Sequence, residues 1–227
     1  WDDLEFLRFA FLSRAAAELN QKRAAEAHWR AAVRGAGDRL GPLMALLNMA
    51  ATWGRDQAKE DLLWTIAQRF PRERWALREL ERLYLAAGNT RSLNRVYSTM
   101  AGYAPKNFAA QNNFAATSLL LKLNVPRSHE LAKETFAQHP QEAIVASTYA
   151  FSLHLQGRTK EGLAVLQKLK PEALEAPAVA LYYGLLLSAT GQTNQAAKYL
   201  GLAQKSALLP EEKTLAAEAL KALGSSS

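Results

Sequence analysis

The chain has 227 residues, 49% of them hydrophobic, and its formal net charge is +7. This composition is sufficient for a folded core, and the positive charge favours acidic partners without indicating a fold. The absence of cysteine excludes disulfide bonds, thiolate nucleophiles and cysteine-based metal sites, and it leaves the cellular compartment open. The longest apolar stretch, 176–189, is too short to span a bilayer, so we expect no membrane insertion by this segment.

A 34-residue period runs along the chain, marked by residues that end helices. Asn20, Gly54 and Gly88 are spaced 34 apart, and Gly157 and Gly191 repeat that spacing after an interval of 69. Asparagine and glycine tolerate the left-handed conformation in which many α-helices terminate. A parallel series of prolines, spaced 34 and 35, follows the predicted second helices: Pro71, Pro105 and Pro140. Each period is therefore predicted to hold two helices.

The segments between these marks have helical periodicity. Leu77, Leu80, Tyr84 and Leu85 recur at the spacing of one helical face, and residues with high helix propensity dominate. In chain order, the sequence predicts helical hairpins at 6–39, 40–73, 74–107, 108–142, 143–176 and 177–210, a closing helix at 210–223 and a flexible tail at 224–227. Because the chain begins at Trp1 and not at methionine, we expect a processed protein or a fragment.

A 34-residue hairpin with small and large residues in a fixed order resembles the tetratricopeptide repeat. The last repeat shows the pattern best, with Tyr183 and Gly184 in the first helix and Gly191 at the turn. Its second helix carries the expected residues: Ala196, Leu200 and Ala203. The resemblance covers nearly the whole chain and implies an all-α fold of the α-α superhelix type. Such a right-handed solenoid would form a single domain over 1–223, with the first helices lining a concave wall.

Two regions depart from the family pattern. Lys59 and Leu93 occupy a usually small site at the start of the second helix, so the second and third hairpins are expected to be splayed or shifted. In the fourth repeat, residues 123–126 replace the glycine turn and one extra residue is present. We therefore predict a short second helix that begins near Arg127.

The register of the repeats selects the side chains expected on the concave wall. These inward positions are Leu7, Phe11, Arg14, Met44, Asn48, Trp75, Arg78, Glu79, Arg82, Asn112, Asn113, Ala116, Thr148, Phe151, His154, Leu181, Tyr182 and Leu185. The candidate binding residues among them are Asn48, Trp75, Arg78, Arg82, Asn112, Asn113, Phe151 and Tyr182. The apolar members predict either a groove for a partner segment or burial between helices.

One inward group indicates anion binding. Arg78 and Arg82 lie four residues apart, and Asn112 and Asn113 take neighbouring positions in the next repeat. Guanidinium and amide groups suit a carboxylate or phosphate. The group is similar to the carboxylate clamp by which some members of this family grip the C-terminus of a chaperone peptide. The alternative is that the arginines pair with nearby carboxylates such as Glu79 on a solvated helix.

Sequence motifs for catalysis are absent from the chain. It has no glycine-rich phosphate loop, no G-x-S-x-G elbow and no H-E-x-x-H sequence. Four histidines lie in different repeats: His28, His129, His139 and His154. The acid pair Glu211-Glu212 is explained by helix-dipole and solubility roles. No catalytic, cofactor-binding or metal site is therefore predicted. The basic run 69–75 favours nucleic acid, but the interleaved Glu73, Glu79 and Glu81 argue against a continuous phosphate track.

These observations predict a non-enzymatic adaptor or scaffold whose concave face binds a protein or peptide, with acidic character favoured near Arg78 and Arg82. The alternative is an assembly or substrate-positioning region of a larger enzyme or envelope complex. Composition does not separate the two.

Overall fold

The computed structural model describes residues 4–224; Trp1 and positions 225–227 of the predicted tail lie outside this range. The described residues form fourteen α-helices and no β-strand, which confirms the predicted all-α class. They are arranged in two compact units, of which the first ends at Leu80 and the second begins at Glu81.

The first unit contains two helical hairpins and the beginning of a third. Its core is formed by fully buried leucine and isoleucine side chains: Leu43, Leu46, Leu62, Leu63 and Ile66. Short turns join antiparallel neighbours, as expected for hairpins. The helices are α1 (Glu5–Glu18), α2 (Lys22–Ala36), α3 (Leu40–Thr52), α4 (Asp56–Arg69) and α5 (Trp75–Ala87), whose second half belongs to the other unit.

The second unit holds the other predicted hairpins and a closing helix. Beyond α5, its helices are α6 (Thr90–Tyr103), α7 (Phe108–Leu120), α8 (Val125–Gln138), α9 (Ala143–Leu155), α10 (Thr159–Leu166), α11 (Pro171–Leu174), α12 (Pro177–Ala189), α13 (Thr193–Ala203) and α14 (Pro210–Gly224). The sequence did not predict the four-residue α11. It begins at Pro171, whose fixed φ and missing amide hydrogen suit the first position of a helix.

Each first helix ends in the same hydrogen-bonded turn. Gly54 and Gly157 have φ of 66° and 76°, in the left-handed region that costs glycine little. The amide of the following residue donates to the carbonyl oxygen five residues earlier, as from Arg55 to Ala50 over 2.9 Å. This is the Schellman arrangement, which satisfies carbonyl groups that the helix itself leaves without a partner.

The fourth repeat makes this turn without glycine. Lys122 has φ of 54°, and the amide of Leu123 donates to the Ser118 carbonyl over 2.9 Å. Lys122 follows Gly88 by 34 residues and precedes Gly157 by 35. The extra residue of this repeat therefore lies after the turn at Lys122.

The prediction of a short second helix in the fourth repeat is wrong. Helix α8 has 14 residues and begins at Val125, two residues before the predicted start at Arg127. Pro126 lies in the first turn of α8. Proline is tolerated there because a backbone N–H in the first turn would have no partner within the helix. Asn124, with φ of 38°, directs the chain into this helix.

Lys59 and Leu93, the large residues at the usually small site of the second and third hairpins, differ in burial. Leu93 is completely buried, so the large side chain is part of the core. Lys59 is partly buried, and its Nζ lies 4.0 Å from a carboxylate oxygen of Glu79. A long aliphatic stem allows lysine to contribute apolar contact while its ammonium group stays near an opposite charge.

Two helix glycines permit close backbone approach in the second unit. A Cβ on Gly162 would lie 2.6 Å from the Ala150 carbonyl oxygen, and a Cβ on Gly184 would lie 3.0 Å from the Leu200 amide nitrogen. Any larger residue would have to separate α9 from α10, or α12 from α13. The small residue at Gly184 in the family pattern thus has a packing role here.

The turns provide a test of stability. We expect Gly54→Ala to lower the free energy of unfolding by about 1 kcal/mol, because a Cβ is disfavoured in the left-handed region although no atom would clash with it. Lys122→Gly should raise it by roughly 0.5 kcal/mol for the converse reason. Urea denaturation followed by circular dichroism measures both. The control is Gly102→Ala inside α6, which should be stabilising; equal effects of the two Gly→Ala changes would contradict the explanation.

Candidate functional site

In the first unit, four positions of α1 and α3 that the repeat register predicts to face inward are open to solvent. Phe11 exposes 57% of its surface and Met44 exposes 41%. Arg14 and Asn48, each six residues before the turn residue of its hairpin, are also exposed. We name Phe11, Arg14, Met44 and Asn48 the first-helix surface. It combines apolar side chains with a guanidinium and an amide that can donate hydrogen bonds.

A tryptophan cluster supports the α1 end of this surface. The Phe11 and Trp53 ring centroids are 6.1 Å apart, and Trp53 lies 6.3 Å from Trp29 in an edge-on arrangement. The Arg14 guanidinium lies 5.7 Å from the Trp53 ring centroid. Such contacts between cation and ring contribute about 0.5–1 kcal/mol at exposed sites. Phe11 and Arg14 are thus positioned by packing on Trp53.

Arg55 connects three helices beneath the same cluster. Its guanidinium lies 4.4 Å from the Trp29 ring centroid, donates to Ser13 Oγ over 2.7 Å and donates to Glu26 over 2.5 Å. The Ser13 hydroxyl in turn donates to the Ala25 carbonyl over 2.7 Å. These bonds fix α1 and α2 against the start of α4.

The predicted residues of α5 are accessible. Arg78 and Arg82 are exposed, and Trp75 is partly buried, with its indole N–H donating to Glu73 over 3.0 Å. The Glu81 carboxylate accepts a hydrogen bond from the Tyr97 hydroxyl over 2.9 Å. This bond engages one of the carboxylates near the two arginines.

The predicted residues of the fourth repeat differ from each other in exposure. Asn113 is partly exposed, whereas Asn112 exposes only 1% of its surface. The Oδ1 atom of Asn112 is buried without a hydrogen-bond partner, a state that costs free energy. The structure therefore places Asn112 inside the helical packing.

Phe151 and Tyr182 are core residues in the structure. They expose 2% and 4% of their surfaces, and their ring centroids are 4.8 Å apart. Both belong to the hydrophobic cluster that also includes Ala216 of α14. Of the two roles that the sequence left open for inward apolar residues, burial applies to this pair.

The closing helix α14 takes part in covering Tyr182. The Tyr182 hydroxyl donates to Glu212 over 2.9 Å, and the second Glu212 oxygen accepts from the Leu209 amide over 2.9 Å. The neighbouring Glu211 accepts a hydrogen bond from the Thr90 hydroxyl. Dipole and solubility roles alone are therefore an incomplete explanation of this acid pair. The one feature of the local sequence that indicates such a role is Glu212 at the third helical position, where a glutamate can cap the start of the helix.

Histidines make isolated polar contacts. His129 Nδ1 lies 2.7 Å from Ser152 Oγ, and His154 Nδ1 lies 2.9 Å from Thr159 Oγ1. Burial lowers the pKa of both imidazoles. Within residues 4–224, no three His, Asp or Glu side chains are grouped in a way that could hold a metal ion.

A surface cavity of about 320 Å³ is formed by α2 and α4, with Trp29, Val33 and Leu62 in its wall. Over the described part of the chain, no helix has the length and apolar character required to cross a bilayer.

Two solved structures are similar to this chain. A tetratricopeptide repeat protein from Parabacteroides merdae aligns with a TM-score of 0.51 and 16% sequence identity, over 97% of this chain and 85% of that protein. A thermophilic tetratricopeptide repeat protein from Thermus thermophilus aligns with a TM-score of 0.49 and 18% identity, over 80% of this chain and 97% of that protein. No protein-family model and no curated protein matches the sequence.

The buried phenols predict alkaline sensitivity. Burial, followed by the nearby carboxylates Glu212 and Glu81, raises the pKa of Tyr182 and Tyr97. Because the pKa of each phenol is higher in the folded chain than in the unfolded chain, the phenols stabilise the fold fully at pH values below the unfolded-state pKa of about 10. This contribution is lost as the pH rises above about 10. Between pH 9 and pH 11, the free energy of unfolding of the native chain should therefore decrease. This decrease should be about 1 kcal/mol smaller in Tyr182→Phe than in the native chain. Denaturation at each pH measures the free energy of unfolding. The control is Tyr103→Phe, at an exposed site. An equally reduced dependence on pH in this variant would contradict the assignment of the effect to Tyr182.

Proposed function

We propose that this chain, which has the tetratricopeptide-type helical-repeat fold, is a non-enzymatic scaffold that binds a protein or peptide. The observation that carries the proposal is the exposure of Phe11 and Met44 at inward positions of the first unit. Large exposed apolar side chains with polar groups beside them are typical of interaction sites. Aromatic side chains such as Phe11 often supply a large share of binding free energy.

The polar members of the first-helix surface favour a partner that carries carboxylates. Arg14 is paired with Glu18 over 2.6 Å, and both side chains are largely exposed. Exposed pairs of this kind contribute only about 0.3–0.5 kcal/mol, so a partner carboxylate can replace Glu18 at small cost. The Asn48 amide can donate and accept hydrogen bonds, which suits the backbone of an extended segment.

The exposed arginines of α5 support the same preference. Arg78 and Arg82 lie one helical turn apart, on the side of the helix selected by the repeat register. Guanidinium groups bind carboxylates with two parallel hydrogen bonds. The proposed anion-binding contacts on α5 are therefore Arg78 and Arg82.

A role as the assembly or substrate-positioning region of a larger enzyme or envelope complex uses the same surface. In both cases the chain supplies contacts and not reaction chemistry. In either role, the proposed partner is an apolar segment with acidic residues.

Truncation of the apolar side chains tests the first-helix surface. A ligand is selected from a phage-displayed random peptide library with the full chain, and its dissociation constant is measured by fluorescence anisotropy. We expect Phe11→Ala to weaken binding about tenfold, equivalent to about 1.4 kcal/mol, and Met44→Ala to weaken it less. The control is Leu19→Ala, at an exposed leucine of the turn after α1. A library without ligands, or equal weakening by Leu19→Ala, would contradict the proposal.

Salt dependence tests the arginines of α5. For a peptide with an acidic C-terminus, we expect Arg78→Ala/Arg82→Ala to reduce affinity about tenfold at low salt and to make affinity less sensitive to ionic strength. The matched control is Arg30→Ala/Arg34→Ala, which removes two exposed arginines at the same spacing from α2. Equal affinity of the native protein and the α5 variant would rule out this site.

A further inference from the structure

The start of α14 contacts two separate parts of the second unit. Pro210 lies against Gly88, where an added Cβ would be 3.5 Å from the proline ring. The Thr90 hydroxyl donates to Glu211, and the Tyr182 hydroxyl donates to Glu212. The helix start is therefore held between the α5–α6 turn and α12, although these belong to the third and sixth predicted hairpins.

The contact along the rest of α14 is apolar and incomplete. Ala216 is the one α14 residue that is fully buried. Four further apolar residues are partly buried against the same hydrophobic cluster, whereas Ala217 and Ala222 are exposed: Leu215, Ala219, Leu220 and Leu223. That cluster includes Phe151, Tyr182 and Leu185, all at positions that the repeat register assigns to the inward wall. The exposed residues of α14 include the charged Lys213, Glu218 and Lys221 as well as two alanines. The helix therefore packs an apolar face on the cluster and leaves charged and small side chains exposed.

The attachment of α14 is weaker than the packing within a hairpin. One connecting segment, 204–209, joins it to α13, and most of its apolar side chains keep contact with solvent. Since partial burial of leucine and alanine supplies a fraction of the stabilisation of full burial, the polar contacts of Glu211 and Glu212 form a substantial part of its docking. Elements with few buried apolar contacts open at lower free energy than the core.

We propose that α14 is a displaceable occupant of a helix-binding groove in the second unit. The groove includes Gly88, Thr90 and Tyr182, which the start of α14 contacts, and the apolar cluster against which the rest of α14 is partly buried. It accepts an amphipathic partner helix that has a leucine and alanine face and two carboxylates in its first turn. Two neutral hydroxyl donors, from Thr90 and Tyr182, receive these carboxylates without requiring a buried ion pair. This groove is a different site from the first-helix surface, which belongs to the other unit.

The probe is a fluorescent synthetic peptide with the sequence of residues 208–223, added to the full chain. In the native protein, α14 competes with the peptide. Glu211→Gln/Glu212→Gln weakens the internal helix while it leaves the groove unchanged, so we expect the peptide to bind this variant at least tenfold more tightly than the native chain. Glu218→Gln, on the exposed side of α14, is the control and should bind as the native chain does. Equal affinity for all three proteins overturns the proposal.

Groove variants identify where the peptide binds. In the Glu211→Gln/Glu212→Gln background, Thr90→Val and Tyr182→Phe each remove one hydroxyl donor with little change in shape. We expect each to weaken peptide binding several-fold, while Phe11→Ala leaves it unchanged. Unchanged affinity in both groove variants would show that the peptide binds elsewhere, and so would loss of binding in Phe11→Ala.

A disulfide lock separates displacement from misfolding. The chain contains no cysteine, and a Cβ on Gly88 would lie 3.5 Å from the Pro210 ring. Gly88→Cys/Pro210→Cys is therefore introduced in the Glu211→Gln/Glu212→Gln background, and disulfide formation is checked by thiol titration. Gly88→Cys alone is the control for the strain of a side chain at a φ of 61°. The double-cysteine protein is then compared oxidised, with α14 held in place, and reduced. We expect peptide binding only after reduction. Binding in both forms, or in neither while the helical circular dichroism is retained, counts against the proposal; failure of the first-helix surface would leave all these results unaffected.

Discussion

The left-handed turn at the end of each first helix is the constraint on which the repeat depends. It forces the chain to reverse at a fixed point relative to the side chains of the preceding helix, and its hydrogen bonds satisfy the terminal carbonyls. Six residues make it at intervals of 34 or 35: Asn20, Gly54, Gly88, Lys122, Gly157 and Gly191. Because each first helix ends at this turn, side chains at the same distance before it take equivalent positions in their hairpins.

Buried polar contacts add specificity to the apolar packing between hairpins. The Asn94 side chain of α6 donates to Thr117 Oγ1 over 3.0 Å and to Ser118 Oγ over 2.7 Å in α7. Hydrophobic contact alone tolerates small shifts between helices, whereas a buried amide must reach particular oxygen atoms. Such bonds fix the register of one hairpin on the next, as Arg55 does within the first unit.

The residue type at one register position changes along the chain. Six residues before the turn, the chain has Arg14, Asn48 and Arg82, which are exposed, and later Phe151 and Leu185, which are buried. The apolar pair belongs to the same hydrophobic cluster as Ala216 of α14. The residue type at this position thus follows its environment, polar where solvent reaches it and apolar where it belongs to the core cluster.

The sequence by itself determined the helical repeat, because helix periodicity and the residues that terminate helices are local properties. Gly54, Gly88, Gly157 and Gly191 located the hairpins without any knowledge of tertiary contacts. The left-handed conformation of Lys122 has no such signature, since packing imposes it on a residue that does not favour it. Only the tertiary structure placed α14 beside Thr90 and Tyr182. These contacts join residues as far as 121 positions apart, and no short-range pattern encodes them, so exposure at the inward positions was decided by tertiary packing.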